Sequence, residues 1–405
     1  MFWMHLILSP LLTFAAIVIL APVGIFFAEA MAAVALFERA NSGGLSTRIP
    51  SGERVAVMIP AHNEGMNLLP TIADVKRQTL PIDTLLVVAD NCTDDTAHIA
   101  SAQGAEVIER HDPARRGKGY ALDFGLQHLE SRPPKMVVMI DADCRLANNA
   151  IQELVKTCVA TGRPIQALYL MAAPAEMRND YRVAEFAWRV KNWLRPSGLS
   201  ALRLPCQLTG TGMAFPWDVV RGINLASGSI VEDLKLGLDL TANGYPPVFC
   251  PSAVVTSEFA SSSRAARTQR ERWEGGHIGM IVSTVPGLFL RSVADRNWRL
   301  LALTLDLAVP PLSLLALLVF GTFSLASLCS LFGSSLTALM ISTFDIVLFG
   351  LATFVAWLKC GRDLVPVSAA LEIPRYLLGK ANLYRAKLFK RTDAQWIRTD
   401  RRNSE

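Results

Sequence analysis

Met136-Val137-Val138-Met139-Ile140-Asp141-Ala142-Asp143 is a run of five apolar residues that ends in two acids. An apolar run of this length bounded by polar residues reads as a strand buried on both faces of a parallel sheet. Val55–Ile59, stopped by Pro60, and Leu85–Ala89, ending at Asp90, repeat the form. Between them Asn67–Gln78 and Asp94–Gln103 carry helical spacing, with Thr93 as the expected N-cap of the second. The alternation predicts an α/β fold with an open, mostly parallel sheet, whose ligands bind beyond the carboxyl ends of the strands.

The acids fall at those ends. In extended chain, residues two apart project to one side, so the carboxylates of Asp141 and Asp143 can converge on one point. Two hard oxygen ligands suit a divalent cation such as Mg²⁺ or Mn²⁺ that also binds a diphosphate. A surface turn is the plainer reading. A calcium loop fails, because Leu146 stands where that loop needs glycine and Gln152 where it needs glutamate. Asp90 opens Asn91-Cys92-Thr93-Asp94-Asp95-Thr96, where helix capping competes with ligand binding.

Further along, Arg115-Arg116-Gly117-Lys118-Gly119 precedes the helical pattern Tyr120–Leu129 and suits a phosphate, or is simply a solvated loop. It is not a P-loop, because Lys118 is followed by glycine and the upstream glycine is missing. Glu232-Asp233 stands before the stretch Leu234–Thr241, where the helix dipole alone favours acids. Adjacent on one turn, their side chains are expected to diverge. Gln269-Arg270-Glu271-Arg272-Trp273 sets a guanidinium beside an indole, which suits a diphosphate next to a sugar ring or makes an ordinary basic helix face.

The 405-residue chain is 51% hydrophobic and 19% charged. About 25% charged residues is usual in soluble domains, so a membrane-attached globular protein is expected and a disordered chain is excluded. A net charge of +5 without a clustered basic face excludes a nucleic-acid partner. Seven scattered cysteines form no zinc or redox pair and are expected to be reduced thiols.

Leu6–Ala28 has no charged residue and is long enough to cross a hydrocarbon core of about 30 Å. A cleaved leader is the alternative, disfavoured by the missing basic start. Leu300–Leu325 and Leu336–Leu358 read as a transmembrane hairpin around Ser327–Ser335, each with one acid, Asp306 and Asp345. Arg39, Arg48 and Arg54 after the first span, Arg291, Arg296 and Arg299 before the second, and Lys359 and Arg362 after the third place the middle of the chain in the cytoplasm and the N-terminus outside. The expected organisation is an anchor over 1–37, one cytoplasmic domain over 50–297, the hairpin over 300–358, and an interfacial segment with a basic tail over 364–405.

Taken in order, Ile59-Pro60-Ala61-His62-Asn63-Glu64, Asp90, Gly117-Lys118-Gly119, Asp141-Ala142-Asp143, Thr209-Gly210-Thr211-Gly212, Glu232-Asp233 and Gln269-Arg270-Glu271-Arg272-Trp273 resemble the membrane-bound family 2 glycosyltransferases. That group includes the cellulose, chitin, hyaluronan and poly-N-acetylglucosamine synthases and the related ceramide glucosyltransferase. The resemblance covers roughly Val55–Gly276 and the flanking spans. It implies a type A nucleotide-diphosphosugar transferase fold, with Asp90 toward uracil, Asp141 and Asp143 toward metal and diphosphate, and Asp233 as general base. Gln269, Arg272 and Trp273 match the Q-x-x-R-W motif that closes over diphosphate and acceptor, and Thr211 and Gly212 lie in the loop near the acceptor sugar. Pro60, Asn63, Glu64, Lys118 and Glu232 complete the implied substrate-binding set.

The function so implied is inverting transfer from a UDP-sugar to a glycan acceptor in bacterial exopolysaccharide synthesis at the inner membrane. A lipid acceptor, ceramide-like or polyprenyl, is the alternative. Three expected spans are fewer than a self-contained polymer channel of this group has, which calls for a lipid acceptor or for a partner membrane protein that completes an export path. A non-catalytic membrane scaffold would leave the ordered acids and the Gln-Arg-Trp set unused.

Overall fold

The computed structural model describes residues 8–36, 53–80, 83–174, 178–226, 231–260, 263–332, 336–368 and 373–388. The chain forms two compact units. Among the described residues, one comprises 53–174 and 204–273; the other comprises 8–36, 178–203 and 274–388. The single domain expected over 50–297 is therefore interrupted: among the described residues, 178–203 and 274–388 group with the apolar helices.

The first unit is built on a mixed sheet of eight strands: β1 (Val55–Ala61), β2 (Thr84–Asp90), β3 (Glu106–Arg110), β4 (Met136–Met139), β5 (Arg145–Leu146), β6 (Ile165–Ala172), β7 (Met213–Pro216) and β8 (Val248–Glu258). Their order is β3-β2-β1-β4-β7-β6-β8-β5. Four of the seven ladders are parallel, β1 with β2 and β4, β2 with β3, and β6 with β8. β7 runs antiparallel to β4 and β6, and β5 to β8. Ala56, Met58, Leu86, Val88, Val137, Met139 and Phe215 of the central strands pack with Ala121, Leu122 and Leu126 of the helix Lys118–Leu129. Continuous apolar strands are what a sheet covered on both faces requires.

The antiparallel entry of β7 positions the site. Met213 stands opposite Met139, so the loop before β7 arrives where β4 ends. Gly212, in that loop, has φ +65°, and a Cβ there would lie 2.7 Å from the Ala167 Cβ. Glycine is required on both counts.

Two local expectations are corrected. The segment 67–78 is a 3₁₀ turn, Gly65–Leu68, followed by the helix Leu69–Lys76 with proline in its first turn. The helix expected from Asp94 starts at Thr96, and its first amide is taken by Asp94, whose Oδ1 accepts from Thr96 N at 3.1 Å; Thr93 does not cap it.

Among its described residues the second unit contains three helices long and apolar enough to cross a membrane, Ser9–Ala35, Leu312–Leu331 and Leu336–Cys360. The run Leu300–Leu325 is not one span: Val309, Pro310 and Pro311 separate the helix Trp298–Ala308 from Leu312–Leu331. Consecutive prolines cannot continue the backbone ladder, which mean hydropathy does not register. The short helix Arg195–Ala201 packs so closely on the helix Ser9–Ala35 that a Cβ on Gly198 would fall 2.0 Å from the Glu29 carbonyl oxygen. Buried Arg195 donates to Glu29 Oε2 at 2.6 Å and to Asp306 Oδ1 at 2.5 Å. Asp306 is thus held by a cation. Asp345 is 1% exposed, and both its oxygens lack a hydrogen-bond partner among the described residues. Of the expected interfacial segment, Ile373–Leu388 is helical. Residues 1–7, Arg39, Arg48, residues 333–335 and the tail after Leu388 lie outside the described residues.

Candidate active site

The carboxyl ends of β1, β2 and β4 open onto a cleft of about 420 Å³. Pro60, Asn63, Glu64, Asp90, Lys118, Asp141, Asp143 and Arg272 all line it, so eight of the expected site residues share one wall system. His62, Asp94 and Gly117 join them.

Two asparagines shape the rim. Asn63 (φ +54°) and Asn91 (φ +52°) adopt the left-handed conformation that asparagine tolerates better than most residues. Their side chains tie neighbouring loops: Asn63 Oδ1 accepts from Thr93 N at 2.7 Å, and Asn91 Oδ1 from Asp112 N at 2.8 Å. Asp90 ends β2 directly opposite Arg110 of β3. Arg110 Nη1 donates to Asp90 Oδ1 at 2.6 Å, Asn91 Nδ2 donates to the same oxygen at 3.1 Å, and the guanidinium lies 5.4 Å from the Tyr120 ring centre. Asp90 is therefore a structured acid facing the cleft, not a helix cap. Arg110 was missed in the sequence because the edge strand β3, Glu-Val-Ile-Glu-Arg, lacks a continuous apolar run.

The acidic turn after β4 is held from below. Thr71 Oγ1 donates to the carbonyls of Ala142 and Cys144, both at 2.7 Å. Buried Asp74 accepts from Arg145 Nε at 2.7 Å and from Leu146 N at 3.0 Å. Burial opposes the Asp74 charge, but these donors and Arg77 outweigh it and hold its carboxyl below the ordinary range. Asp141 N donates to Thr211 Oγ1 at 2.9 Å. Thr211 is 0% exposed and braces the turn from behind, Gly212 is buried against Ala167 and Val255, and neither is among the described residues lining the cleft.

Ligand atoms of Asp141, Asp143 and Cys144 lie within 4.8 Å of one another. Burial, with the Asp141 charge, pushes the Cys144 thiol up to about 12, so it stays protonated. The two carboxylates remain, and they are the oxygen donors that Mg²⁺ or Mn²⁺ takes. Lys118 donates to Asp141 Oδ1, and to the Gly210 carbonyl at 2.6 Å. Although burial works against its charge, Asp141, Glu232 and Asp233 together raise its pKa.

Lys118 also lines a second, smaller pocket with Gly210, Glu232, Asp233, Lys235 and Asp239. The helix begins at Glu232 itself, and both acids reach this pocket; the expected divergence does not keep one of them away. Asp233 Oδ1 accepts from Leu234 N at 2.9 Å. Burial first, and Asp233 second, push Glu232 well above the ordinary carboxylate range, against the pull of Lys118. Burial lowers the pKa of Arg272, and Glu232 opposes that shift. Gln269 and Trp273 are not among the described residues lining either pocket; Gln269 is 2% exposed on the helix Ser263–Ser283.

The arrangement offers an acid pair for a divalent cation, a lysine and an arginine for diphosphate, and a separate acid pair for a proton. Residues 51–276 match the model of "Glycosyltransferase like family 2". A 4,4'-diaponeurosporenoate glycosyltransferase of Staphylococcus aureus is 29% identical over 136 residues, 32% of this chain and 35% of that protein. The probable glycosyltransferase YdaM of Bacillus subtilis is 22% identical over 252 residues, 58% of each chain. The alignments thus span between about a third and three fifths of these relatives' length. Among solved structures, the mannosyltransferase PcManGT of Pyrobaculum calidifontis, in complex with GDP-mannose and Mn²⁺, superposes with a TM-score of 0.52. It covers 94% of this chain and 100% of its own at 16% identity, a likeness of fold. With the matched segment spanning more than half of its residues, this chain belongs to glycosyltransferase family 2.

Proposed function

We propose that this glycosyltransferase carries out inverting transfer of a sugar from a nucleotide-diphosphosugar to an acceptor hydroxyl at a membrane. The observation that carries the reading is Lys118, which belongs at once to the cleft of Asp141 and Asp143 and to the pocket of Glu232 and Asp233. Donor diphosphate and acceptor hydroxyl must meet within bonding distance, and Lys118 is common to both walls.

In this reading the nucleobase lies toward Asp90, whose Oδ1 is already engaged by Arg110, and uracil is the first candidate. Lys118 and Arg272 bind and orient the diphosphate. Asp141 and Asp143 hold Mg²⁺ or Mn²⁺, which when bound supplies positive charge to the departing diphosphate. Asp233 takes the proton of the acceptor hydroxyl, the acceptor oxygen bonds to the anomeric carbon, and the bond to diphosphate breaks on the opposite face. Burial and the Asp233 charge raise Glu232, so the pair holds a proton to higher pH than ordinary carboxyls do, and the base acts once that proton has left. In the family pattern Trp273 supplies a flat face for the acceptor sugar, and Gln269 belongs with Arg272 and Trp273 to the motif that closes over diphosphate and acceptor.

A growing bacterial exopolysaccharide is the first acceptor considered, with the active unit on the cytoplasmic side of the inner membrane and a partner membrane protein completing export. A lipid acceptor is the second reading. It is favoured by the three spanning-length helices found among the described residues, fewer than a self-contained channel of the resembled group has, and by the relative named as a 4,4'-diaponeurosporenoate glycosyltransferase. The test is to incubate the purified full-length protein with a panel of nucleotide sugars, Mn²⁺ and membrane extract, reading nucleoside diphosphate release and product mass. One added sugar on a lipid supports the second reading and a ladder of masses the first. Absence of release with every donor would overturn the transferase mechanism.

A further inference from the structure

The helix Ser263–Ser283 carries Arg272 and Trp273 and continues at once into Glu274-Gly275-Gly276-His277. Glycine in a helix interior gives up the most backbone entropy on ordering, and two in a row make a soft turn. Whatever fixes this helix beyond Gly276 therefore acts on Trp273 only through a weak link. Buried His277 is such an anchor, its Nε2 donating to the Leu307 carbonyl at 3.0 Å. That carbonyl needs an outside donor, because Pro311, four residues on, has no N–H to offer it.

Glu274 stands on the other side of the glycine pair, next to Trp273, and both its oxygens are engaged. Oε1 accepts from Lys380 Nζ at 2.5 Å and Oε2 from the Tyr384 hydroxyl at 2.9 Å. The tyrosine oxygen is in turn 2.8 Å from Ser313 Oγ, in the first turn of Leu312–Leu331, and with its own proton on Glu274 it accepts there. Tyr376, Lys380 and Tyr384 recur every four residues along one face of the helix Ile373–Leu388, and the ammonium lies 5.9 Å from each ring centre. Lys380 is 6% exposed. An ammonium gives up its hydration only where a carboxylate and ring faces replace it. None of Glu274, Lys380 and Tyr384 is among the described residues lining the cleft or the smaller pocket.

A helix held at one point is free to roll about it; held at two, on different faces, it is not. Glu274 and His277 are two such points, and the roll of this helix sets where Arg272 and Trp273 face. We propose that Glu274 is a positioning residue for sugar transfer, held by Lys380 and Tyr384 so that Arg272 and Trp273, just before the glycine pair, keep their orientation. The effect on turnover rests on the transferase reading above, whereas the contact itself is tested without turnover.

The test uses the full chain in detergent. Lys380→Met removes the ammonium, and Tyr384→Phe removes only a hydroxyl and carries the test should Lys380→Met fail to fold. Arg375→Met, at an exposed position of the same helix, is the control. Amide hydrogen exchange over residues 268–276 should rise several-fold in Lys380→Met, rise less in Tyr384→Phe, and stay at the wild-type level in Arg375→Met. Misplacing a positioned group by about 1 Å can cost about 100-fold in rate, so kcat should fall by about 10- to 100-fold in Lys380→Met. Affinity for UDP by calorimetry should change less, because Asp141, Asp143 and Lys118 are untouched. Glu274→Gln added to Lys380→Met should lower kcat no further, since both act through one contact. Unchanged exchange in both Lys380→Met and Tyr384→Phe would overturn the contact. Raised exchange with wild-type kcat would overturn the positioning role, and losses that multiply in the double variant would separate Glu274 from Lys380. A wild-type protein that transfers no sugar would fail the transferase reading instead, and exchange would still decide the contact.

Discussion

Lys118 donates to Asp141, at the end of the central strand β4, while its second hydrogen bond, 2.6 Å long, goes to the Gly210 carbonyl of the loop before β7. A Cβ built on Gly210 would stand 3.4 Å from Asp233 Oδ2 and 3.5 Å from Lys118 Nζ, so the proposed metal-binding acid and the proposed base flank one ammonium group.

Lys118→Met should therefore weaken the protein on the donor side. A hydrogen bond to a charged group contributes about 1.5–3 kcal/mol, so affinity for a nucleoside diphosphate should fall about 10- to 100-fold by calorimetry. Lys118→Arg should not restore it, because a planar fork does not fit a site built for a point charge between a carboxylate and a carbonyl. Wild-type affinity in the methionine variant would remove Lys118 from the diphosphate site.

Asp143→Asn should abolish transfer and lose the response of donor binding to Mn²⁺. Chelation should do the same to the unmodified protein, with recovery on adding Mg²⁺ or Mn²⁺. Calorimetry with and without chelator checks this independently of turnover. Full donor binding in chelator would leave Asp141-Ala142-Asp143 as a mere turn.

The strands that end in site residues were legible because β1, β2 and β4 are buried on both faces and their sequences are continuous apolar runs ending at polar chemistry. β3 was not, since Glu106 and Glu109 of this edge strand are exposed, and with it went Arg110, the partner of Asp90. β7 has four residues and takes its meaning from pairing with β4, a relationship 70 or more residues apart that local pattern does not carry. The same limit hid Thr71 and Asp74, which brace the acidic turn from a preceding helix. Hydropathy found the apolar segments but averaged over Pro310-Pro311, and it could not assign 178–203 to the unit that contains the helix Ser9–Ala35.

Arg195→Met tests the charge cluster that this assignment revealed. It leaves Glu29 and Asp306 buried, at 3% and 5% exposure, without their cation. Removing one partner of a buried ion pair costs about 3–5 kcal/mol. A marked fall in Tm in detergent is expected, and much of it should return in the triple replacement with Glu29→Gln and Asp306→Asn. An unchanged Tm in the single variant would show that the buried acids carry no uncompensated charge there.

The proton-transfer prediction concerns Glu232 and Asp233 together. Asp233→Asn keeps the volume and an acceptor for Leu234 N but removes the basic oxygen pair, so donor binding should persist while transfer falls by about 10²–10⁴-fold. The pH profile adds a signed test. Burial and the neighbouring Asp233 charge raise Glu232, so this pair holds a proton to higher pH than ordinary carboxylates, and transfer should rise as pH climbs and that proton leaves. Glu232→Gln removes the like charge beside Asp233, which favours ionisation of Asp233; the acidic limb of kcat against pH should move to lower pH, with a smaller loss at its plateau than in Asp233→Asn. If instead Glu232→Gln abolished transfer while Asp233→Asn kept it, the base would be Glu232, and an acidic limb unmoved by Glu232→Gln would separate the two acids electrostatically.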